Sequence, residues 1–146
     1  MAELRVFKSD SDEAGVRVFV AEDNAADVFW LEMVFKSARI PYTIELAQHG
    51  DMAQTYLKTL GAESDTTPQI IFLDVHLPGA TADEILDGLP DEFSIPLFIL
   101  SGSEISAAMR ERVGESRCLT KPITHEQLLD CLSSVGLFTE AEQPAA

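Results

Sequence analysis

The sequence predicts an α/β fold in which five parallel strands form a sheet with helices on both of its faces. Four apolar runs, rich in β-branched and aromatic residues, end at Ala21, Asp74, Ser101 and Thr120. Continuous runs of this kind are typical of parallel strands that are buried on both faces. Longer amphipathic stretches separate the runs, and this alternation is the pattern of a doubly wound βα repeat.

Strands and helices follow one another in a regular order along the chain. The strands are expected near residues 16–21, 42–47, 69–74, 96–101 and 117–121. The helices are expected near residues 25–38, 51–60, 81–89, 104–113 and 124–137. Together they make one domain, 16–138, between an N-terminal arm at 1–15 and a tail at 139–146. The arm is either flexible or adds a short extra strand.

Capping residues support the predicted helix starts. Asn24, Thr81 and Ser103 stand where side-chain oxygens would cap the first, third and fourth helices. Thr124, followed three positions later by Gln127, predicts a capping box at the start of the last helix.

Composition and charge argue against several classes of protein. The 25 acidic and 10 basic residues give a net charge of −15, which disfavours binding to nucleic acid. The first residues lack the features of a signal peptide and no apolar run has membrane-spanning length, so we expect a cytoplasmic protein without membrane contact. Cys118 and Cys131 form no close-spaced motif, and we expect free thiols.

Acidic residues at two strand ends predict a metal site. Glu22 and Asp23 follow the first strand, and Asp74 ends the third. The carboxyl ends of parallel strands share one edge of the sheet, where ligands of open α/β sheets bind. Crowded carboxylates repel one another unless a cation lies between them, and oxygen ligands favour Mg²⁺ over zinc. A solvated loop residue is the alternative for any single acid, but three at equivalent positions favour the metal.

The same edge carries groups suited to phosphoryl transfer. Asp74 directly ends the most apolar strand, and its carboxylate is the natural nucleophile toward a phosphoryl group. Lys121 supplies a positive charge, and Ser101 supplies a hydroxyl donor. Taken alone, Lys121 has the alternative role of an ion-pair partner, and Ser101 that of a strand-end cap.

Four motifs, in this order, resemble the receiver domain of two-component response regulators. They are VAEDN at 20–24, IIFLDVHLPG at 70–79, ILSG at 99–102 and TKP at 120–122. The resemblance covers roughly residues 16–137 and implies a flavodoxin-like sheet with strand order 2-1-3-4-5.

The resemblance also implies a role for each site residue. Asp74 would be the phosphoacceptor, Glu22 and Asp23 the metal-binding acids, and Ser101 the switch hydroxyl. His76 stands where the family uses a backbone carbonyl as a further metal ligand, so its imidazole need not touch the metal.

Lys121 would pair with the phosphate and precede a cis proline, Pro122. Cys118 stands where the family usually has an aromatic switch residue. Because a thiol cannot report the same change of volume, we expect any output to travel through shifts of helices and loops. The small number of residues between Asp74 and Ser101 predicts that the third helix, or the loop after it, is shorter than usual.

By this resemblance the chain would be a stand-alone response regulator and not an enzyme, beyond autocatalysed phosphotransfer and slow self-dephosphorylation. It would accept phosphate, with Mg²⁺, from a sensor histidine kinase or a phosphotransfer protein, and signal by protein contact. The eight residues of the predicted tail, 139–146, would leave no room for an output domain. The stretch at 22–28 and the loop at 61–68 also look like the small regulators that partner bacterial phytochromes.

Other functions stay open at this point. The chain could act as a phosphate shuttle or sink, or as a small Mg²⁺-dependent phosphatase with an aspartyl-phosphate intermediate. His76 stands where haloacid-dehalogenase phosphatases carry a second acid, which disfavours the phosphatase. A flavodoxin-like FMN binder ranks last, because Glu22, Asp23 and Asp27 would repel the cofactor's phosphate.

The first helix has more apolar residues than one buried stripe needs. Phe29, Met33 and part of Trp30 or Phe35 are left over. Two interpretations stay open, a homodimer or partner surface and a wider buried face under the N-terminal arm.

Overall fold

A computed structural model describes residues 4–13, 15–60 and 67–138. Its strands are β1 (Arg5–Lys8), β2 (Val16–Ala21), β3 (Tyr42–Ala47), β4 (Ile70–Asp74), β5 (Leu97–Ser101) and β6 (Cys118–Thr120). Its α-helices are α1 (Ala25–Ser37), α2 (Gly50–Lys58), α3 (Ala82–Asp87), α4 (Ala107–Val113) and α5 (His125–Ser134), with a 3₁₀ turn at Glu115–Arg117 before β6. The predicted tail at 139–146, most of the loop at 61–68 and residues 1–3 and 14 of the arm lie outside the described residues.

The sheet has the order β1-β3-β2-β4-β5-β6. Strands β2 to β6 are parallel, and their order is the predicted 2-1-3-4-5. The predicted α/β fold is therefore confirmed, with one correction to the number of strands. The arm contributes β1, which pairs antiparallel with β3 and places Phe7 opposite Ile44. By this pairing β1 covers an edge of the parallel sheet that would otherwise be open to other chains.

The core consists of two layers, one on each face of the sheet. On β4, the side chains of Ile70 and Phe72 pack in the layer of α1 and α5, whereas Ile71 and Leu73 pack in the layer of α2, α3 and α4. All five residues of β4 are buried. This burial on both faces explains the continuous apolar run in the sequence, and it fixes the position of Asp74 at the end of β4.

Most helices begin at the predicted capping residue. The Asn24 side chain accepts a hydrogen bond from the backbone N–H of Ala26, and Thr81 and Thr124 each form a capping box. The fourth helix differs, since it begins at Ala107 with Ser106 as its cap. The third helix is short, as expected, with 6 residues.

A close backbone contact fixes the loop that follows Asp74. The N–H of Gly50, at the start of α2, donates a hydrogen bond of 2.8 Å to the carbonyl of Pro78. A Cβ atom on Gly50 would lie 2.0 Å from the carbonyl oxygen of Ala80, so only glycine fits there. This contact ties the loop to α2. Within the described ranges, no helix is both long enough and apolar enough to cross a membrane.

Candidate functional site

The strand registers bring the predicted site residues to one edge of the sheet. Asp74 at the end of β4 is in register with Leu100, and Ser101 at the end of β5 is in register with Thr120. An open cleft of about 390 Å³ lies at this edge. It is lined by Glu22, Asp23, Asn24, Asp27, Asp74, His76, Gly102, Lys121 and Pro122.

Three carboxylates in the cleft are close enough to share one cation. Each of Glu22, Asp23 and Asp74 offers a carboxylate oxygen, and these oxygens all lie within 4.8 Å of one another. Glu22 and Asp74 are buried, whereas Asp23 is exposed at the mouth. Oxygen donors in small number, with one side open to water, fit a Mg²⁺ ion that retains part of its hydration shell.

The ammonium group of Lys121 lies among three carboxylates. Its Nζ atom is 2.6 Å from Glu22 Oε2, 2.8 Å from Asp27 Oδ2 and 2.9 Å from Asp74 Oδ2. Burial alone would lower the pKa of Lys121, but the contacts with Asp27, Glu22 and Asp74 outweigh it and raise that pKa. Lys121 therefore stays positively charged at neutral pH.

The carboxyl group of Asp74 is held in its ionised form. Burial would raise its pKa, but the backbone N–H of His76 and the ammonium of Lys121 outweigh burial and lower the pKa. The His76 N–H donates a hydrogen bond of 2.9 Å to Asp74 Oδ1, while Lys121 contacts Oδ2. An ionised carboxylate at a fixed position is the form that can act as a nucleophile.

Glu22 behaves in the opposite way. Burial raises its pKa to about 7, and the neighbouring Asp74 adds to this effect although Lys121 and the backbone N–H of Asn24 oppose it. Glu22 and Asp74 are thus adjacent carboxyl groups whose surroundings move their pKa values in opposite directions. This crowding of negative charge is what a divalent cation would relieve.

The hydroxyl of Ser101 is engaged by the loop that follows β5. Ser101 is fully buried, and its Oγ accepts a hydrogen bond of 3.1 Å from the Ser103 N–H. The Ser103 hydroxyl in turn lies 3.3 Å from Ser101 Oγ and 3.2 Å from Nε2 of His76. The His76 ring therefore faces Ser103, while its backbone remains beside Asp74.

The segment that carries Lys121 contains the other predicted features. The peptide bond between Lys121 and Pro122 is cis. Cys118, at the start of β6, is half-buried, and its thiol donates to the carbonyl of Gly114 at 3.5 Å. Both Cys118 and Cys131 are free thiols, as predicted.

Asp27 lines the cleft. From the sequence it was expected near a phosphate only in the FMN-binding alternative, and it had no role in the predicted receiver site. It lies in the first turn of α1, and its carboxylate contacts Lys121. The available signal was its spacing, because the first turn of a helix that follows a strand end lies beside that end. An acid in a first turn is also common for helix stability alone, so the signal was weak.

Comparison with known proteins finds a response regulator of similar sequence. No family model matches the chain. The response regulator Rcp1 of Synechocystis sp. is 28% identical over 99 residues, which are 65% of this chain and 67% of that protein.

Solved structures share the fold. The bacteriophytochrome response regulator AtBRR matches with a TM-score of 0.65 and 22% identity, over 87% of this chain and 96% of that one. The receiver domain of a sensor histidine kinase from Pseudomonas aeruginosa, solved with a magnesium ion coordinated in its active-site cleft, matches with a TM-score of 0.65 and 18% identity, over 84% and 99%. The chain thus has the receiver fold and is similar in sequence to a response regulator, which confirms the resemblance to response-regulator receiver domains predicted from its motifs.

Proposed function

We propose that the chain is a response-regulator receiver, with residues 16–138 as its domain and β1 added to the sheet, which accepts a phosphoryl group on Asp74 from a sensor histidine kinase. The observation that carries this proposal is the ionised Asp74 carboxylate, held beside Lys121 and within 4.8 Å of two further acids. Glu22, Asp23 and Asp74 would hold Mg²⁺, with the backbone carbonyl of His76 as a further ligand. Bound there, the ion would supply neutralisation of the charge on the transferring phosphoryl oxygens.

The chain's own residues provide the remaining chemistry. A carboxylate oxygen of Asp74 forms the new bond to phosphorus as the bond from phosphorus to the kinase's histidine nitrogen breaks, and that nitrogen keeps the electron pair. Lys121 pairs with a phosphoryl oxygen as a second positive charge. The Ser101 hydroxyl donates to another phosphoryl oxygen once it has left Ser103.

This movement of Ser101 suggests how the signal leaves the site. Moving the hydroxyl toward the phosphoryl group would break its hydrogen bond with the Ser103 N–H, and thereby release the loop that runs to Ser106 at the start of α4. Cys118 is too small to follow as an aromatic ring would. Output is therefore a displacement of the loop at 102–106 and of α4.

Partner contacts are proposed at the outer face of α1, beside the cleft. Phe29, Trp30 and Met33 are exposed there, with 62%, 45% and 44% of their surface accessible, whereas Phe35 is buried. The partner that we propose is a histidine kinase, of the bacteriophytochrome kind in view of the similarity to the bacteriophytochrome response regulator AtBRR. A homodimer through the same face is the alternative, which sedimentation of the purified chain would detect.

Phosphorylation by a small donor tests the proposal. Incubation with phosphoramidate and Mg²⁺ should increase the protein's mass by one phosphoryl group. Chelation of the metal, or Asp74→Asn, should abolish the increase, whereas Asp51→Asn, an aspartate in the first turn of α2, should leave it unchanged. Phosphorylation that persists in Asp74→Asn, or none in the folded wild-type chain, would contradict the proposal.

A further inference from the structure

Carboxylates surround the ammonium group of Lys121, whose Nζ donates hydrogen bonds to Asp27 and Asp74 and forms a close ion pair with Glu22. An ammonium group carries three N–H donors, and three carboxylates lie within 2.9 Å of Nζ. Of the residues lining the cleft, Lys121 is the one lysine or arginine. A phosphoryl oxygen that pairs with Lys121 must therefore compete with these carboxylates for the ammonium group.

Asp27 is the carboxylate that can leave at the lowest cost. Glu22 and Asp74 are only 2% and 5% exposed at their side chains, and both belong to the group of three acids that can share a cation. The Asp27 side chain is 34% exposed, and it lies outside that group. It can rotate into water, whereas Glu22 and Asp74 would each have to leave a buried position.

We propose, on the basis of the function proposed above, that Asp27 is a positioning residue which holds the ammonium of Lys121 in the unphosphorylated chain and competes with the phosphoryl oxygen for it. Asp27 keeps Lys121 in place while the site is empty of phosphate. It thereby weakens the phosphorylated state, because the Asp27 carboxylate and the phosphoryl oxygen compete for the same ammonium group.

Binding of beryllofluoride, a mimic of the phosphoryl group, provides the first measurement. In the presence of Mg²⁺, Asp27→Asn should bind beryllofluoride about fivefold more tightly than wild type, as expected for the loss of one partly exposed ion pair. Asp27→Glu, which retains the carboxylate, should return the affinity toward the wild-type value. Asp51→Asn removes the same charge from the first turn of α2 and should not change the affinity.

Tryptophan fluorescence offers a convenient signal alongside calorimetry. Trp30 is the chain's single tryptophan, and its indole N–H donates a hydrogen bond of 2.6 Å to the carbonyl of Ile123, two residues after Lys121. Its emission should therefore respond when Lys121 changes partner.

A second measurement needs neither metal nor phosphate. In chelator, Asp27→Asn should lower the urea midpoint of unfolding in the wild-type background, because it breaks the pair with Lys121. In a Lys121→Met background the same substitution should raise the midpoint or leave it unchanged, because Asp27 then only repels Glu22 and Asp74. A purely helix-capping role of Asp27 would lower the midpoint equally in both backgrounds.

The outcomes separate the two proposals. If the folded wild-type chain does not bind beryllofluoride with Mg²⁺, the proposed phosphoacceptor function fails. If wild type binds it and Asp27→Asn binds no more tightly, or if the two urea shifts are equal, only the competition by Asp27 is overturned.

Discussion

The neighbouring carboxyl groups of Asp74 and Glu22 differ in pKa because Asp74 receives stronger hydrogen bonding to its ionised form. Asp74 has the His76 N–H on one oxygen and Lys121 on the other. Glu22 is at least as buried, and its pKa rises to about 7 as burial prevails over its contacts with Lys121 and Asn24. The residue at the end of β4 is thereby kept ionised, which is the form that a nucleophile requires. The contacts that separate the two pKa values depend on side-chain positions that the sequence does not specify.

The two tyrosines allow a test of burial at single residues. Tyr42 donates a hydrogen bond of 2.7 Å to Glu32, and Tyr56 one of 3.1 Å to Glu45. Burial raises both pKa values, and the carboxylate partners raise them further. The folded chain binds these protons more tightly than the unfolded chain, so the tyrosines contribute stability below pH 10, the ordinary tyrosine value, which is lost as pH rises above it.

We therefore expect no tyrosinate absorbance at pH 10 in the folded chain, and a joint appearance of tyrosinate and loss of circular dichroism at higher pH. Tyr42→Phe should reduce this loss of stability in alkali. Ionisation near pH 10 with the fold intact would show that the hydroxyls are accessible to water.

Among secondary-structure elements, β1 was the least predictable. Long apolar runs in the sequence indicate the parallel strands, as in β4, where every residue is buried. In Arg5–Lys8, only Phe7 is partly buried, and such a short alternating segment is equally compatible with a flexible arm. Its pairing depends on the antiparallel contact with β3, which local sequence does not encode.

Substitutions on the two faces of β1 test its contribution. Phe7 packs against the core layer of α1 and α5, whereas Val6 is 58% exposed. Phe7→Ala should lower the free energy of unfolding by about 1.5 kcal/mol, less than for a fully buried phenylalanine. It should also speed amide hydrogen exchange in β1. Val6→Ala, the control on the opposite face, should change stability by less than about 0.5 kcal/mol; equal effects would mean that β1 does not hold this register.

The start of α4 shows why another element boundary was wrong. Serine is a common helix cap, but the backbone N–H of Ser103 donates to Ser101 Oγ and its hydroxyl lies 3.2 Å from Nε2 of His76. The helix begins three residues later, with Ser106 as its cap. The contact of Ser103 with His76, which is far away in sequence, thus prevailed over the local preference of serine for a helix start.

For the molecule as a whole, topology explains most of what could be predicted. Parallel strands put their carboxyl ends on one edge, so Glu22, Asp23, Asp74 and Lys121 could be expected to meet although they are distant in sequence. The contact between Asp27 and Lys121 was only weakly indicated by the sequence, because it depends on the direction of a side chain within a helical turn.

The net charge of −15 makes the response to cations a test of the whole molecule. Mg²⁺ that binds only the folded chain should stabilise it by about 2.7 kcal/mol at roughly 100 times its dissociation constant. Sodium chloride of equal ionic strength should stabilise much less, because it only screens the repulsion. Thermal unfolding of wild type and Asp23→Asn, with each salt, would measure the difference. Equal stabilisation by the two salts would indicate that Mg²⁺ only screens charge repulsion and does not bind at a specific site.

Chemical mapping can identify the residue that carries the phosphoryl group. Borohydride reduces an aspartyl phosphate to homoserine, and peptide mass spectrometry locates that residue. After treatment with phosphoramidate and Mg²⁺, we expect homoserine at position 74, with the aspartates at 23 and 27 unchanged. Reduction at either of those positions instead, with Asp74 intact, would contradict this expectation.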